Sequence, residues 1–372
     1  MRLEALELRL LRLPLVTPFR TAAGVQSDRE VLLLRAVTSV GDGWSECAAL
    51  AEPTYTAEYV DGARDVIVRH LLPLLAAVEL RGGDVASLLA PVKGHRMAKC
   101  ALELAVLDAE LRSAEQSLAS FLGATRDAVD PGVSVGMSST TDELLEQVAA
   151  YVDAGYRRVK LKIAPRHDIE PLRAVREAFG DALLLQADAN GAYADDVDAA
   201  AAALAALDDL ELLLIEQPLG DDDLTGHAEL ARRIATPICL DESIESLGDL
   251  DTALALGACS VVNLKPGRVG GYVEAVRIHD RCVDEGVGLW CGGMLESGIG
   301  RAANLALAAL PGFTLPPDLS ASDRYYRLDV TPPFVLDGGR LHVPKGAGIG
   351  VTPDPSALEE LTISTEVVQV QA

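Results

Sequence analysis

Apolar and polar positions follow two different rhythms along this chain. Early on, Leu3 to Leu13 and Glu30 to Val40 read as two β runs. The turn Gly41-Asp42-Gly43 leads to a third short strand, Trp44 to Cys47. Three helical patterns follow, at Thr56 to Leu75, Asp84 to Leu89 and Arg96 to Ala114. Residues 1–125 therefore form an α+β unit, a meander followed by helices.

From Val133 the rhythm changes to short apolar runs, each followed by a helix-like stretch. The runs are 133–136, Arg158 to Ile163, Leu183 to Asp188, Leu212 to Glu216, Pro237 to Asp241, Val261 to Leu264, Val287 to Cys291 and a weak 313–315. Thr141 to Ala154 and Gly271 to Glu285 are examples of the intervening helices. Eight such runs predict a (β/α) barrel, with parallel strands joined by helical crossovers. An open doubly wound sheet is the alternative, weakened because no glycine-rich phosphate loop follows the first strand. After the barrel, Val335 to Val343 predicts a hairpin around Gly338-Gly339, and the chain beyond Pro355 is expected to be a surface appendage.

Composition changes the picture in three ways. The formal net charge of −24 argues against nucleic acid or an anionic membrane as partner. The start, Met1-Arg2-Leu3-Glu4, lacks the basic and apolar regions of a signal peptide, and the six cysteines show no paired short spacing. Buried free thiols in a reducing cytoplasm are expected. Finally, the chain has only six lysines, at 93, 99, 160, 162, 265 and 345, so each is worth placing.

Barrel chemistry collects where strands end. Lys160 and Lys162 are two apart on one strand and share a face. If both point inward, desolvation and mutual repulsion should lower a lysine pKa towards neutrality and make a general base. The next three strands end in Asp188, Glu216 and Asp241, separated by 28 and 25 residues. Converging carboxylates need a cation, and an all-oxygen set suits Mg²⁺, with Mn²⁺ as the alternative. Lys265 ends the sixth strand, opposite the first lysine pair in an eight-stranded barrel. Gly292 and Gly293 end the seventh and would let a substrate approach backbone N–H groups.

These stretches resemble the enolase superfamily, in its muconate-lactonising subgroup. They are Lys160-Leu161-Lys162, Asp188-Ala189-Asn190, Ile215-Glu216-Gln217-Pro218, Leu240-Asp241-Glu242-Ser243 and Asn263-Leu264-Lys265-Pro266. The run from Gly292 to Arg301, the run Asp318 to Ser322, and Pro14 to Glu30 are similar to the N-succinylamino acid racemase/o-succinylbenzoate synthase family. The resemblance implies a (β/α)7β-type TIM barrel with an α+β capping domain. Residues 1–125 would form the cap, 126–325 the barrel, and 326–372 a segment returning to the cap.

It also implies removal of a proton α to a carboxylate on a small molecule. Lys162 and Lys265 would be the acid/base pair, and Asp188, Glu216 and Asp241 the metal ligands. The expected activities are the dehydration to o-succinylbenzoate in menaquinone biosynthesis, N-succinylamino acid racemisation, or both, in a homo-oligomer. Lys160 would add positive charge beside the developing enolate, and Ser134 and Asn190 would position Lys160 or the substrate. Glu242 would support the ligands without being one. Arg268 would tune Lys265 or lie at the surface. Phe19 and Tyr55 would roof the site or pack ordinarily.

The alternatives are a dipeptide epimerase, a muconate-type cycloisomerase, or a non-catalytic binding protein on the same barrel. Dipeptide epimerases carry an Asp-x-Asp element at strand eight to hold a free amino group. Asp318-Leu319-Ser320 lacks the second acid, which favours an uncharged amide nitrogen. A succinyl carboxylate is expected to meet Arg20 and the strand-seven glycines.

Overall fold

The early alternating runs pair as an antiparallel sheet, with β1 (Leu3–Thr21) against β2 (Gly24–Thr38) and β2 against β3 (Gly41–Cys47). The computed structural model describes every residue except 22–23, 77, 194–195 and 371–372, and every side chain outside 18–26. The expected roof residue Phe19 and the expected carboxylate partner Arg20 thus fall outside the described side chains.

On β2, Leu32 and Leu34 enter one core with Ile67, Leu71 and Val106. Val31 and Leu33 enter the other, with Leu104, Leu107 and the barrel side chains. Burial on both faces explains why this strand is apolar at successive positions. The helix Arg96–Ser113 lies against β3 at Gly43, where a Cβ would sit 2.0 Å from the Ala105 carbonyl oxygen.

After the short β4 (Ala128–Val129), seven parallel strands follow in sequential order. They are β5 (Gly132–Val135), β6 (Arg158–Lys162), β7 (Leu184–Asp188), β8 (Ile215–Glu216), β9 (Ile238–Leu240), β10 (Val261–Leu264) and β11 (Gly288–Cys291). Residues 313–315, expected as an eighth strand, do not form one. Instead, Thr314 and Leu315 donate to the Leu289 carbonyl, Asp318 donates to Cys291, and Gly132 of β5 donates to Pro317. The segment bridges β11 and β5 irregularly, because Pro316 and Pro317 offer no N–H for a ladder.

The C-terminal expectations need two corrections. The 335–343 turn makes a single bridge, Asp337 to Arg340, and the strand after it, β12 (Leu341–His342), pairs with β4. Nor is the chain after Pro355 an appendage. It forms the helix Pro355–Leu361 and then β13 (Thr362–Gln369), which pairs antiparallel with β1 as the sheet's edge. An edge strand with no buried position gave no core-facing run to detect. Among the described residues no helix is long and apolar enough to cross a membrane.

Two carboxylates tie the first unit to barrel helices. Glu46 of β3 accepts from the Ser297 and Gly300 amides at the start of the helix Gly298–Ala308. Glu103 accepts from Tyr272 and Val273 at 2.6 and 3.1 Å, at the start of the helix Tyr272–Glu285. Gly271, at φ 151°, makes room: a Cβ there would lie 2.4 Å from the Glu103 carboxylate.

Burial pushes the Glu103 carboxyl up to about 7, with Glu274 adding to the rise against the two amide bonds. An acid whose proton is held more tightly in the fold stabilises it below its unfolded value, and that share is lost as pH climbs through 7. Stability should therefore fall between pH 4.5 and about 7, and Glu103→Gln should flatten part of that slope. Urea midpoints across the range test this, and an unchanged slope contradicts it.

Candidate active site

Strand order places the chemistry. Lys162 lies beside Asp188, and Asp188 beside Glu216, in the registers of β6, β7 and β8. Asp241 follows β9, and Lys265 follows β10. The five candidate residues therefore line one mouth, with three carboxylates between two lysines.

Lys160 is the hub. Its Nζ donates to Glu216 Oε2 at 2.7 Å and lies 3.0 Å from Asp188 and 2.8 Å from Asp318. It also sits 4.7 Å over the ring of the fully buried Trp290. Lys162 donates to Asp188 Oδ2 at 2.7 Å and to Asn190 Oδ1 at 2.5 Å. Lys265 donates to Asp241 Oδ2 at 2.7 Å and to the Tyr55 hydroxyl at 3.0 Å. Ser134 donates to Asp318 Oδ2 at 2.9 Å, and Asn190 Nδ2 donates to Glu242 at 2.8 Å.

Three expectations change here. First, Lys160 is not brought towards neutrality, and Lys265, for which no such shift was expected, is raised as well. Burial acts to lower both, but Asp188, Asp318 and Glu216 around Lys160, and Asp241 beside Lys265, outweigh it and hold both well above the usual lysine range. Around Lys160 the carboxylates outweigh both burial and the like charge of Arg158.

Second, Arg268 is no surface residue. It is fully buried, and its guanidinium pairs with Asp241 and donates to Tyr55 at 2.9 Å. Third, Gly292 does not offer a free N–H, since that group donates to the Leu264 carbonyl. Its smallness serves packing: a Cβ would meet Asn263 at 2.3 Å and the Lys265 stem at 2.5 Å. At Gly293 a Cβ would lie 2.5 Å from the Asp318 carbonyl oxygen.

Residues 143–357 match the enolase C-terminal domain-like family. The chain belongs to the enolase superfamily. It is 59% identical over 363 residues to an N-succinylamino acid racemase of Amycolatopsis sp, covering 97% of this chain and 98% of that one. It is 44% identical to an o-succinylbenzoate synthase of Listeria innocua, covering 96% and 95%. A solved structure from Listeria innocua, described as a member of the enolase superfamily, superposes with a TM-score of 0.96 at 42% identity, covering both chains fully.

Superfamily enzymes are generally dependent on a divalent metal, so the fit of this site to such an ion matters. The donor set suits a hard cation, being carboxylate oxygens on adjacent strand ends. Glu216, between the other two, is pushed up to about 8 by burial and by Asp188, which is an unmet demand for positive charge. Glu242 Oε2 is buried without a partner. Among the described residues, no three acid, histidine or cysteine side chains are gathered into a ready cage. The carboxylates turn instead to the lysines and Arg268, so ammonium groups and a metal compete for the same oxygens.

Several contributors were missed from sequence. Gln217 accepts from the Asp241 amide at 2.9 Å and donates to Ser243 at 2.7 Å, which fixes the Asp241 turn. Asn263 donates to Glu216 Oε1 at 2.6 Å. Asp318, read only as an incomplete acid pair, holds both Lys160 and the fully buried Arg158. Its carboxylate is spent inside the barrel and is not offered to a substrate ammonium. Asp318→Ala should strip a buried guanidinium of its counter-charge and cost about 3–5 kcal/mol. Equilibrium urea unfolding reads this, and a wild-type midpoint would contradict the pairing.

Proposed function

We propose that this chain removes the proton α to a substrate carboxylate, acting as an o-succinylbenzoate synthase, an N-succinylamino acid racemase, or both. One observation carries the reading. Lys162 and Lys265 stand at the ends of strands four apart, on opposite sides of three carboxylates. A flat enolate lying over the carboxylates would present one face to each amine.

Asp188, Glu216 and Asp241 would hold the divalent ion, Mg²⁺ in our reading, and when bound it supplies Lewis-acid charge to the substrate carboxylate. Everything else is done by this chain's side chains. Lys160 stays cationic among its acids and adds charge where the enolate oxygen develops. Lys162 takes the α-proton, with Asn190 Oδ1 steering its amine. In racemisation Lys265 returns a proton to the opposite face. In the dehydration the proton taken by Lys162 passes to the β-hydroxyl, which leaves as water, the ring becomes aromatic, and Lys265 remains a fixed ammonium against the enolate. Tyr55 and Arg268 hold Lys265 and Asp241 in place. The spent carboxylate of Asp318 favours an acylated nitrogen over a free amino terminus.

Two measurements test the reading. Exhaustive chelation should abolish turnover while leaving the circular dichroism spectrum and melting curve of a folded barrel, and added Mg²⁺ should restore turnover. Full activity without metal would sink the ligand assignment. In D₂O, wild type should exchange the α-proton of both enantiomers of an N-succinylamino acid. Lys162→Ala and Lys265→Ala should each lose racemisation by at least about 10²-fold, the lower end for a positioned acid/base group. A wild-type rate in either variant would exclude that lysine as proton carrier.

A further inference from the structure

Arg29 of β2 is fully buried, yet among the described residues it meets no carboxylate. It precedes Val31 and Leu33 on the strand face turned to the barrel-side core. Its guanidinium is spent on main-chain oxygens. One terminal nitrogen donates to the carbonyls of Glu30 at 2.6 Å and Ala49 at 2.8 Å, and the other to Ala48 at 2.9 Å. A buried cation held only by neutral carbonyls is costly, so what those carbonyls belong to is informative.

Ala48 and Ala49 stand where the chain leaves β3 and begins the irregular segment that carries Tyr55. That segment closes on itself at its base, where the Val60 amide donates to the Leu50 carbonyl at 2.9 Å. On its far side Glu58 accepts from the Met97 and Ala98 amides at 2.9 and 3.2 Å. Between these anchors residues 51–54 are exposed, so the fork of Arg29 and the Glu58 bonds fix the base while the tip is left to solvent.

The base also touches the barrel. A Cβ on Gly267 would lie 2.9 Å from the Ala48 Cβ, so the turn after β10 packs on the clasped residues. Two residues before that glycine is Lys265, and one after it is Arg268. Tyr55 reaches the same place from the loop. Its hydroxyl accepts from Lys265 at 3.0 Å and from Arg268 at 2.9 Å, and its ring lies 4.6 Å from the Lys265 ammonium. On the Lys162 side the steering group is Asn190, which belongs to the barrel itself.

We infer that Arg29 is a positioning residue for the Lys265 half of the reaction, pinning the base of the 50–59 segment so that Tyr55 is seated on the Lys265 ammonium. The inference rests on the proposed function and deepens it. It gives the two proton carriers different supports, one inside the barrel and one supplied by the cap.

The test follows α-proton exchange of each enantiomer of an N-succinylamino acid in D₂O, with the full-length enzyme and Mg²⁺. Lys162→Ala and Lys265→Ala identify which enantiomer each lysine deprotonates. In Arg29→Met, kcat for exchange on the Lys265 face should fall on the order of tenfold or more, as expected for a misplaced acid/base group. The Lys162 face should keep its rate, and Arg29→Lys should recover part of the loss. Arg29→Met should add nothing further in a Tyr55→Ala background, because the two residues act through one contact. Equal losses on both faces, or losses that multiply with Tyr55→Ala, overturn the inference. If Arg29→Met does not fold, Arg29→Lys, which keeps the charge without the fork, carries the same comparison. If wild type exchanges neither proton, the proposed function fails instead. Amide hydrogen exchange over residues 48–60 then reads the clasp. It should quicken in the Arg29 variant while the Tyr272 and Val273 amides held by Glu103 keep their protection, and unchanged protection at 48–60 overturns the assignment.

Discussion

Several carboxylates cannot share one dry barrel mouth unless cations are threaded among them. Asp188, Glu216, Asp241 and Asp318 are set against Lys160, Lys162, Lys265, Arg158 and Arg268. The rest of the site follows from how that charge is distributed. Lys160, touching three acids, is the group that cannot leave. Lys162 and Lys265 each hold one acid from the side and retain freedom to act on a ligand. Glu216 is left with the greatest excess of negative surroundings, so the mouth is poised to accept further positive charge at its centre.

The first unit of the chain takes part in this electrostatics. Tyr55, far from the barrel in sequence, places its hydroxyl within 3.0 Å of Lys265 and its ring under the same ammonium. Glu46 and Glu103 fasten the same unit to the starts of two barrel helices. Buried carboxylates at helix N-termini give directional contacts that a purely apolar interface would lack. The position of the roof over the site is thereby coupled to the barrel's own geometry.

Conformational strain is also concentrated at the mouth. Asn190, Gln217 and Arg166 hold φ values of 43°, 40° and 72° directly after strands of the barrel. Asn190 steers Lys162, and Gln217 fixes Asp241. Backbone of this kind persists only where surrounding contacts over-determine it, and such positions gather at functional sites.

What the sequence determined by itself was periodicity and the identity of rare residues. The repeating run-and-helix rhythm specified seven of the eight expected parallel strands, since the side-chain pattern of a buried strand is local. The isolated lysines and the acids closing successive strands named the mouth residues, because strand ends in a barrel converge whatever the loops do. Tertiary structure alone decided the partners. That Lys160 is held by Asp318, that Arg268 is buried against Asp241, and that Gly292 is small to admit Lys265 depend on residues 27 to 158 positions apart, or on packing across strands. The same holds for β13, whose pairing with β1 joins the two ends of the chain. Local patterns carry no record of such contacts: charge balance and close packing are properties of the assembled interior, and whether a lysine gains or loses its proton there is set by neighbours that the chain order does not reveal.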